Sequence, residues 1–278
     1  MGNQAVMRLM RAQTAAQESE ARGSEPKCPA QSRRLQREIE VRPPGRGEGS
    51  AFERREELIK RLNDQSPAIQ YRLEGRTIRC VVIDEATLTH FDRQMQGFID
   101  RPELVPMRLT TGANLVADEE GDFMPMMLDS FSEAYLDLDD LLGDDDFSFQ
   151  LDLVHILTER FAARNYAHRI GIPKEEPGAF SVAEANHAHE KGLDAETSLL
   201  ADFFNDPSIE FNYQEDDVGR GTAVFNFRSR RHGYQIFHVI VGTGREITRG
   251  ETFVRTRDGR RVTMDAFRAE RAQAGSAR

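Results

Sequence analysis

Cysteine is scarce in this chain of 278 residues: only Cys28 and Cys80 occur, far apart in the sequence. Two distant thiols, one in a polar stretch and one in a strand-like stretch, do not make a disulfide framework or a cysteine zinc site, and they fit a reducing compartment. Long apolar runs are missing as well. No segment approaches the ~20 apolar residues needed to cross a bilayer, so no membrane span is expected. The first residues, Met1 to Arg11, lack a basic region followed by an apolar stretch, which argues against a secretory signal. Val6 stands where a myristoylation signal places Ser or Thr. Basic residues are absent from the middle of the chain, with no Lys or Arg from residue 109 to residue 158. Without a basic patch interleaved with aromatics there, nucleic acid is not an expected partner.

What fills that middle is carboxylate. Asp118, Glu119, Glu120, Asp122, Asp129, Glu133, Asp137, Asp139, Asp140, Asp144, Asp145, Asp146 and Asp152 account for much of the net charge of −10. The run reads as a solvated face, with a surface for a basic partner as the alternative. Its Asp spacing lacks the central glycine of a calcium loop. Asp144 to Asp146 read as loop and helix-start carboxylates, favourable at the positive end of the helix dipole.

Along the chain, residues from about Thr14 to Ser50 are rich in Gln, Glu, Ser, Gly, Pro and Arg and are expected to be disordered. Ahead of them, Val6, Leu9 and Met10 share one helical face, a short docking helix that is marginal alone. Residues 1–50 are thus read as a flexible leader, 51–271 as one domain and 272–278 as a disordered tail. Order is expected to begin at Ser50, whose spacing to Glu53 suggests a capping box before Leu58, Ile59 and Leu62. Residues Ile69–Leu73 and Thr77–Ile83 flank Glu74-Gly75 and predict a hairpin. Asp84 is the expected cap of a helix reaching Ile99, and strands are expected near 107–111 and 123–128. Two central helices follow, from about Phe149 to Ile170 and from the Ser181/Glu184 capping box to Phe204. Ile209–Tyr213, Ala223–Arg228 and Tyr234–Val241 predict an antiparallel meander. Asp258-Gly259 predicts a further hairpin turn, and a short helix from Met264 to Arg271 closes the chain. The expected class is α+β: a central pair of helices flanked by antiparallel hairpins and the meander.

The chemistry-bearing residues lie on the two central helices. His155 and Glu159 are four apart and share a face. His189 and Glu196 are seven apart and also share one, with Gly192 between them leaving room for a close approach. If the faces meet, imidazole and carboxylate from each helix converge into a nitrogen–oxygen set suited to zinc or another divalent metal. The alternative is a buried hydrogen-bonded pair, or a salt bridge to Arg160 or Arg164. His168, His187 and His232 read as surface residues. His238, in an apolar strand, reads as a core histidine or as part of the same site. No nucleophile-elbow pattern supports a serine hydrolase. Gly242-Thr243-Gly244 lacks the later glycine and helix of a dinucleotide site.

Residues Gly2 to Leu9, GNQAVMRL, resemble the G-N-x-A-V-x-R-L segment of proteins linked to bacterial extracellular contractile injection systems. That segment often stands ahead of a zinc-peptidase-like core domain. The stretch from about Glu40 to Arg271 is similar to a domain of such proteins through residues 153–160, 189–196 and 256–261. The resemblance implies a cargo or accessory protein, made in the bacterial cytoplasm and exported by an injection particle that it engages through its leader. It also implies a degenerate metallopeptidase-like domain. The H-E-x-x-H pattern, in which two histidines bind zinc and the glutamate activates water, becomes His155-Ile156-Leu157-Thr158-Glu159 here. His155, Glu159 and His189 would be the metal ligands, and Glu196 or Glu190 the substitute base. The alternatives are an active metal-dependent hydrolase delivered as a toxin, and a non-enzymatic binding module that uses the acidic surface.

Overall fold

The computed structural model describes residues 39–44, 50–111, 115–117, 123–125, 128–217, 222–241 and 249–276. The docking helix and the leader resemblance lie outside them, as do Asp118, Glu119, Glu120 and Asp122. The described chain belongs to one compact unit, and its class is α+β.

Strand β1 (Ile39–Arg42) corrects the expectation that order begins at Ser50. Its alternating Ile39 and Val41 are wholly buried. The strand runs parallel to β4 (Val105–Thr110), with Ile39 opposite Val105, and antiparallel to β3 (Thr77–Val82). Four residues among Pro, Gly and Arg carry little local signal. Partners distant in sequence, Thr77 opposite Glu40 and Val105 opposite Ile39, supply the edges that make them a strand.

The first sheet has the order β2-β3-β1-β4-β8-β7. Strand β2 (Ile69–Glu74) and β3 form the expected hairpin, with Gly75 at φ +68° in its turn. The two outer strands, β7 (Asp129–Ser130) and β8 (Tyr135–Asp137), were not legible in the sequence, being two and three residues long. A small hairpin, β5 (Leu115–Ala117) with β6 (Phe123–Pro125), forms its own sheet.

Helix α1 (Arg55–Gln65) buries Leu58, Ile59 and Leu62 as expected, but the Ser50/Glu53 capping box does not form. Ser50 bridges to Thr110, and a 3-10 turn at Phe52–Arg54 leads into the helix. Helix α2 (His90–Asp100) is capped by Thr89 and Asp92 reciprocally. Asp84 instead caps the 3-10 turn Glu85–Thr87 before it.

After the short α3 (Leu138–Gly143) comes α4 (Asp146–Ala162). It starts earlier than expected because Asp145 Oδ1 accepts the amides of Phe147 (3.0 Å) and Ser148 (2.7 Å). It also ends earlier, and Asn165 turns the chain left-handed at φ 56°. Helix α5 (Val182–Phe203) opens on the expected Ser181/Glu184 capping box and stops before Asn205, at φ 48°.

The second sheet is the expected meander, in the order β13-β12-β11-β10-β9: β9 (Ile209–Asp217), β10 (Thr222–Ser229), β11 (Gln235–Val241), β12 (Arg249–Arg255) and β13 (Arg261–Thr263). Gly259 makes the last turn at φ +87°. Helix α6 (Met264–Ser276) runs through most of the segment expected to be a disordered tail. Helix α4 packs along α5 and touches β4 of one sheet and β12 of the other, so the helix pair is central as expected. Among the described residues no helix is long and apolar enough to cross a membrane.

Candidate metal centre

Helix α4 is buried along nearly its whole length, from Phe147 to Arg160. Within that apolar helix, Ser148, Asp152, His155 and Glu159 follow spacings of four, three and four, which confines them to one stripe at 3.6 residues per turn. His189, Gly192 and Glu196 form the matching stripe on α5. At Gly192 the helices come so close that a Cβ would lie 2.7 Å from Cδ2 and Nε2 of His155. A glycine inside a helix costs about 1 kcal/mol relative to alanine, and here it is the vacancy that His155 fills.

The two stripes bring three of the expected ligands together. His155 Nε2 lies 2.9 Å from Glu159 Oε1 and 3.0 Å from His189 Nδ1, and His189 Nδ1 lies 2.8 Å from Glu159 Oε1. His155 and Glu159 are buried, whereas His189 retains 35% of its side-chain exposure, so the cluster opens toward solvent on the His189 side. Each histidine also has an acceptor on its outer nitrogen. His155 Nδ1 meets Glu196 Oε1, and His189 Nε2 lies 2.8 Å from Gln214 Oε1 on β9. With each outer nitrogen tied to its acceptor, each inner nitrogen donates to the Glu159 carboxylate, and loss of that shared proton would free its lone pair for a metal at the same point. That is how metal-ligating histidines are oriented.

Charge follows geometry. Burial opposes protonation of His155, but the carboxylates of Glu196 and Glu159 outweigh it and raise the imidazole well above its ordinary 6.5. His189 is raised chiefly by its hydrogen bond to Glu159, against burial. Burial would lift Glu159, yet the two histidines pull it down to about 2. Glu196 is likewise held below its ordinary value, the pull of His155 and His238 exceeding the effect of burial.

The other expectations divide. Glu196 is fully buried and stands behind His155, not at the open side. Glu190 is two residues from Gly192, about 200° around the helix, and is exposed to solvent. His168, His187 and His232 are exposed, as expected. Arg160 does not pair with the cluster, since its guanidinium is buried against Asp129 (3.1 Å) and the carbonyl of Tyr135 (2.7 Å). His238 is a core residue and is also joined to the site, with Nδ1 3.7 Å from Glu196 Oε2 and Nε2 3.3 Å from Asp152 Oδ2.

The acidic middle is much less of a solvated face than its composition suggests. Asp137, Asp140, Asp144 and Asp152 are all buried. Asp137 accepts the amides of Asp139 and Asp140 at the start of α3, and burial together with nearby Asp140 holds it up at about 7. Asp144 accepts the amide of Gly250, and burial with Asp152 beside it pushes its carboxyl up to about 9. Asp152 and Gln214 were missed as members of the site. For Asp152 the signal was present, as a polar residue at helical spacing from His155 in an otherwise apolar run. Gln214 had none.

These features define the class as an α+β domain with a two-histidine, one-carboxylate cluster between its central helices. No family model matches the chain, and no match appears among curated proteins or solved structures.

Proposed function

We propose that this protein binds one divalent transition-metal ion through His155, Glu159 and His189, as a metal-binding cargo of a contractile injection system. The observation that carries the metal half is the convergence of three donor atoms, each 2.8–3.0 Å from the others, with the outer nitrogen of both histidines already tied to an acceptor. At this spacing an ion about 2.1 Å from each atom subtends angles of about 90°, the facial set of a six-coordinate metal. Tetrahedral zinc requires a spread of only about 0.5 Å per pair. Charge balance supports the same reading. Without metal, two raised imidazoles and the two carboxylates of Glu159 and Glu196 offset one another, so one dication replacing two protons leaves the buried charge unchanged.

The half-exposed His189 favours a second reading, a metal-dependent hydrolase, because an open side admits water and substrate. The base that H-E-x-x-H supplies is replaced by Ile156, which is buried in the core. Neither Glu190 nor Glu196 faces the opening. These positions favour metal holding over peptide hydrolysis. The delivery half of the proposal rests on the resemblance of residues Gly2 to Leu9.

Elemental analysis of the purified full-length protein tests the metal reading, beside the double variant His155→Ala/His189→Ala. About one equivalent of a divalent metal is expected in the wild type and none in the variant. A wild type that takes up neither zinc, manganese nor iron after reconstitution refutes it.

A further inference from the structure

Behind His155 the polar line continues deeper into the domain. Glu196 Oε2, both ring nitrogens of His238 and Asp152 Oδ2 are buried without a well-formed hydrogen bond, yet they face one another in sequence. His238 Nδ1 stands 3.7 Å from Glu196 Oε2, and Nε2 stands 3.3 Å from Asp152 Oδ2. The imidazole lies nearly flat against Phe225, with ring centroids 5.6 Å apart and planes 28° apart, so its ring plane is fixed by packing. The line closes on itself. Asp152 and His155 are adjacent on one face of α4, His238 is on β11 and Glu196 is on α5, which locks three elements around the close approach at Gly192.

Packing alone does not account for an imidazole at this position. Taking charged groups out of water is costly, and a buried ion pair is often no more stable than apolar residues of the same volume. An apolar ring would fill the space beside Phe225 equally well. What an apolar ring cannot do is occupy both carboxylates, Asp152 on one side and Glu196 on the other.

We propose that His238 is a positioning residue for the metal centre: backed by Asp152, it holds one oxygen of Glu196 so that the other fixes the ring of His155 with Nε2 presented to the metal. The inference rests on the metal-binding reading above. Residues that orient a ligand from behind usually contribute about 10–100-fold to metal affinity.

The test is zinc affinity of the full-length protein, measured by competition with a chromophoric chelator, for wild type, His238→Phe and His238→Gln. The melting temperature of each metal-free protein is recorded alongside. His238→Phe is expected to bind zinc about 10–100-fold more weakly. His238→Gln, whose amide N–H reaches toward Glu196 Oε2, is expected to recover most of that loss. If His238→Phe does not fold, His238→Asn, too short to reach Glu196, takes its place with the same expectation. Wild-type affinity in the Phe or Asn variant overturns the inference. So does a Gln variant as weak as the Phe variant, because that result assigns the effect to packing. A wild type that binds no zinc, manganese or iron removes the metal reading itself, and this inference with it. Tight wild-type binding with unaffected variants removes the positioning role alone.

Discussion

Replacing Gly192 with alanine puts the contact between the two central helices to a direct test. The added Cβ would lie 2.7 Å from Cδ2 and Nε2 of His155 and 2.8 Å from Cε1, whereas ordinary contacts begin near 3.4 Å. The imidazole must therefore retreat by roughly 0.7 Å, several times the ~0.2 Å within which metal–ligand distances hold. It has little freedom to do so, being held by Glu196 on one nitrogen and by Glu159 and His189 on the other. Stability and binding are expected to respond differently. Crowding costs about 1–3 kcal/mol, while alanine in a helix interior returns about 1 kcal/mol, leaving a net destabilisation of about 0–2 kcal/mol. Zinc affinity, by contrast, is expected to fall by at least about ten-fold, as when a ligand loses its orientation. Urea denaturation of the metal-free protein and chelator competition measure the two quantities. Gly97 on α2 provides the control, since a Cβ there meets nothing within 4 Å. Gly97→Ala is expected to stabilise the helix by up to about 1 kcal/mol without touching zinc affinity. A Gly192→Ala protein with wild-type zinc affinity would refute the placement of His155 as a ligand at this contact.

Two further outcomes are expected. Because His155 and His189 are both raised above 6.5 and Glu159 is held near 2, both imidazoles are protonated at and below pH 6.5 while Glu159 stays ionised. Each metal bound there must displace two protons. Affinity should then weaken about 100-fold, or about 2.7 kcal/mol, for each unit the pH falls, and a flat profile by calorimetry would contradict the ligand set. Removing residues 1–12 is expected to abolish co-purification with the injection particle while leaving zinc affinity unchanged. Retained co-purification would separate the metal centre from the delivery role.

Much of the secondary structure was legible because it is written locally. The Ser181/Glu184 box set the start of α5, and Glu74-Gly75 and Asp258-Gly259 each set a turn. Alternating apolar residues set the meander. The same local rules failed where a nearer or better partner intervened. Thr89, not Asp84, caps α2, and the Ser50 hydroxyl accepts the amide of Phe52, at 3.3 Å, in place of that of Glu53. Asp145 starts α4 three residues early because its other oxygen also accepts the amide of Thr252, at 2.7 Å, tying the helix start to β12.

By itself the sequence determined the α+β class, the central helix pair and the candidacy of His155, Glu159 and His189, since helical spacing alone decides which residues share a face. Only tertiary structure decided that the two faces meet, because their approach depends on Gly192 lying against the ring of His155. Burial, likewise, is a property of the assembled layers and not of composition. It turned Asp144 and Asp152 from members of an acidic surface into core residues, made Ile39–Arg42 an inner strand, and set His238 between two carboxylates contributed by different helices.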